Sequence, residues 1–136
     1  VLSTALIIRL SEYLQTNSYT NDEISSSFNF LVMSVTALFQ WVLLDGTTPA
    51  LVAALITAYG GPLSELPFVA NGFWHYIPSA ADYLPLFSFP VPESWQNLSL
   101  SSITGPCYFA VTMDSIALGR WFDSGSSHRF DDKHST

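Results

Sequence analysis

Residues 28–44 read FNFLVMSVTALFQWVLL and carry the strongest fold signal in this chain. Only four of these side chains are polar, namely Asn29, Ser34, Thr36 and Gln40. Apolar side chains occur all round a helix drawn through the stretch, so no wide polar stripe is left to face water. The turn sequence DGTTP follows at residues 45–49 and ends such a helix. The pattern predicts a helix that crosses a lipid bilayer.

Charged residues frame this stretch and two others of similar length. Uncharged runs of 21, 19 and 20 residues occupy positions 24–44, 46–64 and 94–113, and a spanning helix needs roughly 20 residues. Residues 1–10 look like the end of a fourth, truncated apolar helix. The predicted fold class is therefore all-α, an integral membrane helical bundle with about three spans. Residues 1–122 form the predicted membrane domain, and residues 123–136 form a polar C-terminal tail.

Glycine and proline residues make the helix boundaries harder to predict in the second and third uncharged stretches. The second helix is predicted over about residues 48–59, where the sequence Gly60-Gly61-Pro62 either kinks it or ends it as a half-helix. Residues 68–77 are predicted as a short interfacial helix with its aromatic side chains at headgroup depth. A proline- and aromatic-rich surface loop follows at residues 78–97. The last helix is predicted over about residues 98–122.

The composition excludes several classes of protein. Only 11% of the 136 residues are charged and 49% are hydrophobic, whereas an ordinary soluble domain has about 25% charged residues. This balance argues against a free soluble monomer and against intrinsic disorder. A net charge of −7 makes a nucleic-acid partner unlikely. One cysteine, Cys107, excludes an internal disulfide and any multi-cysteine metal site.

Two residues after the second helix are candidate ligands. Glu65 lies between Pro62 and Pro67, and an ionisable residue at membrane depth suggests a functional site. The simpler interpretation is an interfacial Glu65 that pairs with Arg120 or caps a helix. His75 is flanked by aromatic residues, and its imidazole can ligate the magnesium of a chlorophyll, a haem iron or a metal ion. The simpler interpretation is that His75 lies in a belt of aromatic residues at the membrane interface and is hydrogen-bonded to the backbone.

Four further polar residues lie within the apolar stretches. Gln40 and Asn71 are possible magnesium ligands, or they are hydrogen-bonding groups between helices. Asp114 and Arg120 are six residues apart on largely opposite helix faces, so each needs a partner elsewhere. We expect Asp114 to meet a hydroxyl or His75, and Arg120 to meet Glu65 or to extend to the interface. Alternating spans place Arg120 on the same side as Asp45.

No sequence motif supports catalysis. The nucleophile elbow G-x-S-x-G, the zinc motif H-E-x-x-H, the P-loop and the dinucleotide fingerprint G-x-G-x-x-G do not occur. Cys107 has no adjacent base and is expected to be a buried, inert thiol. We therefore expect the protein not to be an enzyme.

Three segments together resemble a known family. They are residues 60–67 (GGPLSELP), residues 74–85 (WHYIPSAADYLP) and the Gly119-Arg120 pair that closes an apolar helix. Their order is similar to that of small multi-span membrane proteins of cyanobacteria and plastids that are distantly Insig-like. In those proteins a small-residue stretch precedes Gly-Arg, whereas residues 111–118 of this chain introduce Asp114. The resemblance implies a plastid location, most plausibly the thylakoid membrane, and no particular reaction.

These observations favour a non-catalytic accessory subunit of a large membrane complex, most plausibly a photosystem–antenna assembly. Its expected partners are other membrane subunits and the lipid bilayer. Its expected cofactors are lipids, chlorophyll and carotenoid, with His75, Glu65, Gln40 and Asn71 as the candidate binding residues. One alternative is an Insig-like regulator that binds a lipid or sterol. A less favoured alternative is a small enzyme or transporter acting at Glu65, His75 and Asp114.

Overall fold

The computed structural model describes residues 2–17, 22–77, 80–81 and 100–131, and this part of the chain is all-helical. Its helices are α1 (Leu2–Asn17), α2 (Asp22–Leu44), α3 (Thr48–Ala70) and α4 (Thr104–Asp131). The predicted all-α class is confirmed. Most of the predicted surface loop at 78–97 lies outside the described residues.

The turn between α2 and α3 follows the sequence prediction. Gly46 takes a φ of +66°, which a residue with a side chain rarely adopts. The backbone N–H of Thr47 donates to Oδ1 of Asp45 at 2.9 Å, an Asx turn that leads into the next helix. Pro49 lies in the first turn of α3, where its missing N–H costs nothing. Trp41 closes the turn by donating its indole N–H to the carbonyl of Thr47 at 3.0 Å.

The second predicted helix does not end at Gly60-Gly61-Pro62. Helix α3 runs unbroken for 23 residues and includes both Pro62 and Pro67. Of the two alternatives that the sequence left open, the continuous helix is the one observed. The prediction of an interfacial helix over residues 68–77 is wrong, because 68–70 belong to α3 and 71–77 are not helical.

The end of α3 explains why the helix stops there. Gly72 has a φ of +71°, and its N–H donates to the carbonyl of Val69 at 3.0 Å. The N–H of Phe73 donates to the carbonyl of Phe68, also at 3.0 Å. These two bonds form a Schellman motif, the usual way in which a glycine terminates a helix. Helix α3 therefore ends at Ala70, with Asn71 as its C-cap residue.

Helix α4 differs from its prediction at both ends. It begins at Thr104, six residues later than expected, and the helical backbone continues to Asp131. Residues 123–131 therefore extend the helix, although the sequence suggested a polar tail. Pro106 lies in the first turn of α4, where no intrahelical N–H bond is lost.

Helix α4 is the centre of the bundle, because it packs against each of the other three helices. It runs antiparallel to α3, as shown by the bond of 2.7 Å between the hydroxyls of Thr57 and Thr112 and by the bond of Tyr108 to Glu65 further along. The buried core contains Met33 and Ala37 of α2, Ala50 and Ala54 of α3, and Phe109, Ala110 and Met113 of α4. Alanines on the inner face of α3 let α4 approach closely.

Within the described residues, two helices are long and apolar enough to cross a membrane. They are Ser26–Leu44 on α2 and Thr48–Ala70 on α3. Only 22% and 11% of these two stretches are buried within the bundle. Their large apolar side chains point outward instead, which is unlike the core helix of a soluble protein.

Candidate functional site

The contact between α3 and α4 depends on two glycines. A Cβ atom at Gly61 would lie 2.4 Å from Cγ of Tyr108, so the aromatic ring occupies the place of a side chain. A Cβ atom at Gly105 would lie 2.9 Å from the carbonyl oxygen of Ala58. Small residues at such positions let two helix backbones approach each other closely. The two helices are therefore joined where the sequence suggested a break.

The close approach brings Glu65 into a cluster of hydroxyl groups. Tyr108 donates its hydroxyl to Oε1 of Glu65 at 3.0 Å, and Tyr76 donates to Oε2. The Tyr76 hydroxyl also lies 3.1 Å from Oγ1 of Thr104 at the start of α4. Glu65 is 9% exposed. Both carboxylate oxygens are therefore engaged, and the cluster ties α3, α4 and the segment after α3 together.

This arrangement keeps the Tyr76 hydroxyl protonated, so that it can donate a hydrogen bond. Burial, followed by the hydrogen bond to the Glu65 carboxylate, raises the pKa of Tyr76 well above its ordinary value. The phenol therefore stays protonated and continues to donate. We call this cluster the Glu65 latch, because its hydrogen bonds join α3, α4 and the segment after α3.

A second polar cluster surrounds Asp114 on α4. Nε2 of Gln40 donates to Oδ1 of Asp114 at 2.9 Å and to the carbonyl oxygen of Ala110 at 3.2 Å. The hydroxyl of Ser3 on α1 donates to the same Asp114 oxygen. The expectation that Asp114 meets a hydroxyl is correct, and the partner is Ser3. Three helices therefore converge on this one carboxylate.

One polar atom of the Gln40 side chain has no hydrogen-bond partner in this cluster. The side chain is 6% exposed, and its Oε1 has no hydrogen-bond partner. Leaving a buried acceptor unpaired costs about 1–3 kcal/mol. Such an atom in a packed bundle calls for a physical explanation.

A third cluster closes the opposite end of the bundle from Glu65. Arg120 of α4 forms an ion pair with Asp45, whose carboxylate is covered, and lies 3.3 Å from the hydroxyl of Thr47. The predicted pair between Arg120 and Glu65 is therefore wrong. Because α4 is antiparallel to α3, its C-terminal half lies beside the start of α3, while Glu65 lies near the end of α3.

The charge on Asp45 is stabilised by its neighbours. The hydrogen bond from the Thr47 hydroxyl is the largest cause, and together with the backbone N–H of Thr47 and the Arg120 guanidinium it lowers the pKa of Asp45 below its ordinary value of 3.8. Asp45 therefore remains ionised at neutral pH.

No protein-family model, curated protein or solved structure matches this chain. The Insig-like resemblance therefore rests on the three short segments quoted above. The candidate sites have to be judged by the residues that form them.

Aromatic side chains mark both ends of the bundle. At the end of α3, the ring of Trp74 stacks on that of Phe68 with centroids 5.2 Å apart and an angle of 4° between the planes. Phe73 contacts Phe68 at 6.1 Å and is 74% exposed. At the other end, Trp121 and Phe122 follow Arg120 and meet edge to face at 5.0 Å, and both are exposed.

The four residues predicted to bind a cofactor do not form one site. Gln40 is buried beside Asp114, and Glu65 is buried near Thr104. Thr104 and Asp114 are ten residues apart on α4, which is about 15 Å along a helix. Asn71 and His75 are exposed residues near the Glu65 end.

Their individual environments also differ. Asn71 donates its amide to the carbonyl of Pro67 at 2.6 Å and thus caps α3. His75 makes no side-chain hydrogen bond to any described residue. Gln40 bridges helices through Nε2, which agrees with its simpler interpretation as a group that bonds between helices. No cluster of three His, Cys, Asp or Glu residues that could hold a metal occurs within the described residues.

Sequence reasoning missed the partners that complete these clusters. Tyr76 and Tyr108 were not singled out as partners of Glu65, and Ser3 was not singled out as a partner of Asp114. Residues 3 and 114 are 111 positions apart, so no local pattern connects them. A hint existed only for Tyr108, because Gly61 and Gly105 are typical of close helix contacts.

Proposed function

We propose that this protein is a non-catalytic accessory subunit of a membrane protein complex, with its helical bundle embedded in the bilayer. The observation that carries the proposal is that the polar side chains and the apolar side chains of the bundle lie in different places. The polar side chains of the three clusters bond to one another inside the bundle or at its ends. The outward faces of α2 and α3 are apolar.

The outward faces suit lipid tails or the apolar faces of neighbouring subunits. On α2, Phe39, Val42 and Leu43 are 60–67% exposed, and on α3 Ile56 is 66% exposed. A soluble monomer rarely exposes contiguous apolar surface of this kind. A bilayer or a set of neighbouring membrane subunits removes that surface from water.

The aromatic groups fit the dimensions of a bilayer. Thr48, beside the Arg120 end, and Phe68, at the other end, are 20 residues apart on α3, which is about 30 Å. The hydrocarbon core of a typical bilayer is about 30 Å thick. Trp and Tyr concentrate at the two membrane–water interfaces, so Trp74 and Trp121 suit opposite interfaces.

The polar clusters support a structural role over a catalytic one. Glu65 has both oxygens occupied by tyrosine hydroxyls, and Asp45 is paired with Arg120. Each group bonds to a different element of the chain, so each holds the bundle together. An accessory subunit needs such a rigid scaffold more than it needs a reactive group.

We further propose that the complex is photosynthetic and lies in a thylakoid membrane, and this step rests on the Insig-like resemblance and on one residue. His75 is exposed and directly follows Trp74, whose ring stacks on that of Phe68. An imidazole beside flat aromatic surfaces is well placed to ligate the magnesium of a chlorophyll. Of the four predicted ligands, His75 is the most suitable, because Glu65, Gln40 and Asn71 are already hydrogen-bonded.

Purification from the native membrane in mild detergent tests these proposals. We expect the chain to migrate with a large particle that contains chlorophyll and to resist extraction by carbonate. A small, colourless particle would contradict the subunit proposal and favour a lipid-binding regulator. Release by carbonate without detergent would contradict membrane embedding. The variant His75→Leu should lose one specific pigment, whereas unchanged pigment content would remove His75 as the ligand.

A further inference from the structure

Helix α1 carries an ion pair on its outward face. Nη1 of Arg9 donates to Oε2 of Glu12 at 2.8 Å, and the two side chains are 80% and 61% exposed. Among the described residues these two side chains bond only to each other. An arginine has five N–H donors and a carboxylate has two acceptor oxygens, so most of the hydrogen-bonding capacity of the pair faces outward.

Two contacts of α1 give its position beside α2. Near the start of α1, Ser3 donates to the Asp114 oxygen that Gln40 also contacts. Near its end, the carbonyl of Leu14 accepts a hydrogen bond from Nδ2 of Asn29. Helix α1 therefore runs antiparallel to α2 and lies along it between these two contacts.

The ion pair lies about halfway along the bundle. Gln40 is five residues from Asp45, or about 7.5 Å, and Arg9 is six residues beyond Ser3, or about 9 Å. Together these distances place Arg9 about 16 Å from the end that Asp45 closes. Counting from the second contact instead gives the same distance. The hydrocarbon core of a bilayer is about 30 Å thick, so the proposed embedding puts the pair near its middle.

An ion pair that faces lipid at this depth is costly. Charged side chains within a membrane almost always face protein or a water-filled cavity. The outward faces of α2 and α3 are apolar and suit lipid tails, whereas the outward face of α1 does not. A polar partner is therefore needed at α1.

We propose that the outward face of α1 binds the same face of a second copy of this chain, an inference that rests on the proposed membrane embedding. Two copies inserted in the same orientation are related by a twofold axis along the membrane normal, so their α1 helices run parallel. Arg9 and Glu12 differ in depth by only about 4.5 Å. Arg9 of each copy therefore reaches Glu12 of the other, and the opposite charges of the pair make this face complementary to itself.

The rest of this face suits contact between two helices. Ala5, Arg9, Glu12 and Thr16 are exposed and follow one another at intervals of four, three and four residues, which is the spacing of a helix-packing seam. Three large apolar side chains flank this seam and are 59–66% exposed, namely Leu6, Ile8 and Tyr13. In the dimer these apolar side chains shield the crossed ion pairs from lipid.

Two charge reversals test the dimer. Within one chain an exposed ion pair contributes little to stability, so Arg9→Glu and Glu12→Arg should each fold. Each variant alone places like charges opposite one another and should raise the dimer Kd at least about tenfold. A mixture of the two variants restores both crossed pairs but no pair within either chain. It should form a heterodimer as tight as the wild-type dimer, measured by energy transfer between labelled full-length chains in phosphatidylcholine vesicles.

Two isoleucines provide a matched control for the face that makes the contact. Ile8 flanks the seam on α1, and Ile56 lies on the outward face of α3, with exposures of 59% and 66%. Ile8→Ala should weaken the dimer, whereas Ile56→Ala should leave its Kd unchanged. Equal effects of the two substitutions would contradict a contact through α1.

A carbonate wash of the same vesicles separates failure of this inference from failure of the proposed function. A wild-type chain that resists carbonate and shows no energy transfer overturns the dimer and leaves the embedding intact. A different membrane subunit would then cover α1. Release by carbonate contradicts the embedding itself. If the wild type associates but the mixed variants do not, the crossed pair of Arg9 and Glu12 is overturned.

Discussion

The ring of Tyr108 lies over the backbone of Gly61, with its Cγ atom 2.4 Å from where a side chain at position 61 would begin. This contact places the Tyr108 hydroxyl against Glu65, one turn further along α3. A single missing side chain therefore determines both the packing of α3 on α4 and the surroundings of the buried carboxylate.

Substitution of Gly61 by alanine should destabilise the bundle by about 1–3 kcal/mol, because the new methyl group overlaps the Tyr108 ring. Gly60 is the natural control, since a Cβ atom there meets nothing within 4 Å. Gly60→Ala should be neutral or stabilising by up to about 1 kcal/mol. Reversible unfolding followed by circular dichroism measures both. Equal effects of the two substitutions would show that Tyr108 does not cover position 61.

Removal of the Tyr76 hydroxyl should weaken the Glu65 latch. Tyr76→Phe leaves one oxygen of a buried carboxylate without its donor, at a cost of about 1–3 kcal/mol. Tyr59→Phe is the control, because Tyr59 is 61% exposed and belongs to none of the three clusters. The same unfolding measurement should show a loss only for Tyr76→Phe. An unchanged stability of that variant would mean that the latch contributes nothing.

The Asp45 contacts should produce a pH dependence of defined sign. The pKa of Asp45 in the folded chain is below its ordinary value of 3.8. The contribution of the Asp45 carboxylate to the free energy of unfolding is therefore complete above pH 3.8 and disappears as the pH falls through the lower folded pKa. The stability difference between wild type and Asp45→Asn should be constant from neutral pH to about pH 5 and shrink in more acidic solution. Glu12→Gln should change little at any pH, because the pair of Glu12 with Arg9 is exposed. A difference that grows on acidification would contradict the assignment.

Tryptophan fluorescence should report the position of both ends of the bundle. In vesicles, variants that retain only Trp74 or only Trp121 should be quenched best by lipids brominated near the headgroup. A tryptophan introduced at Val35, an exposed position near the middle of α2, should be quenched best by deeply brominated lipids. Equal quenching at all depths for the three variants would contradict the proposed embedding.

Local sequence patterns predicted α2 well, because an uninterrupted apolar stretch ended by Asp45-Gly46 leaves few alternatives. At residues 60–62 they left open whether the helix kinks and continues or ends as a half-helix, because glycine and proline are both unfavourable inside a helix. There the helix continues because α4 packs against it, and Gly61 provides the space for Tyr108. Tertiary packing outweighs local propensity at this point.

The pairing of charged residues was predicted only in part. Alternating helices correctly placed Arg120 at the same end as Asp45, and the two residues form an ion pair. Glu65 was the competing candidate for Arg120, because it is an acidic residue with no basic residue close to it in the sequence. Its partners are uncharged tyrosines contributed by α4 and by the segment after α3, and neither charge nor spacing could identify them.

The central position of α4 has a consequence for biosynthesis. Helix α4 emerges from the ribosome after α1, α2 and α3, yet it supplies Tyr108 to Glu65 and Asp114 to Gln40. Until α4 is made, α2 carries a glutamine and α3 carries a glutamate that have not met their α4 partners. Final folding must therefore follow translation of α4, and a chain that stalls before residue 104 remains an intermediate in which these two buried polar side chains lack their partners.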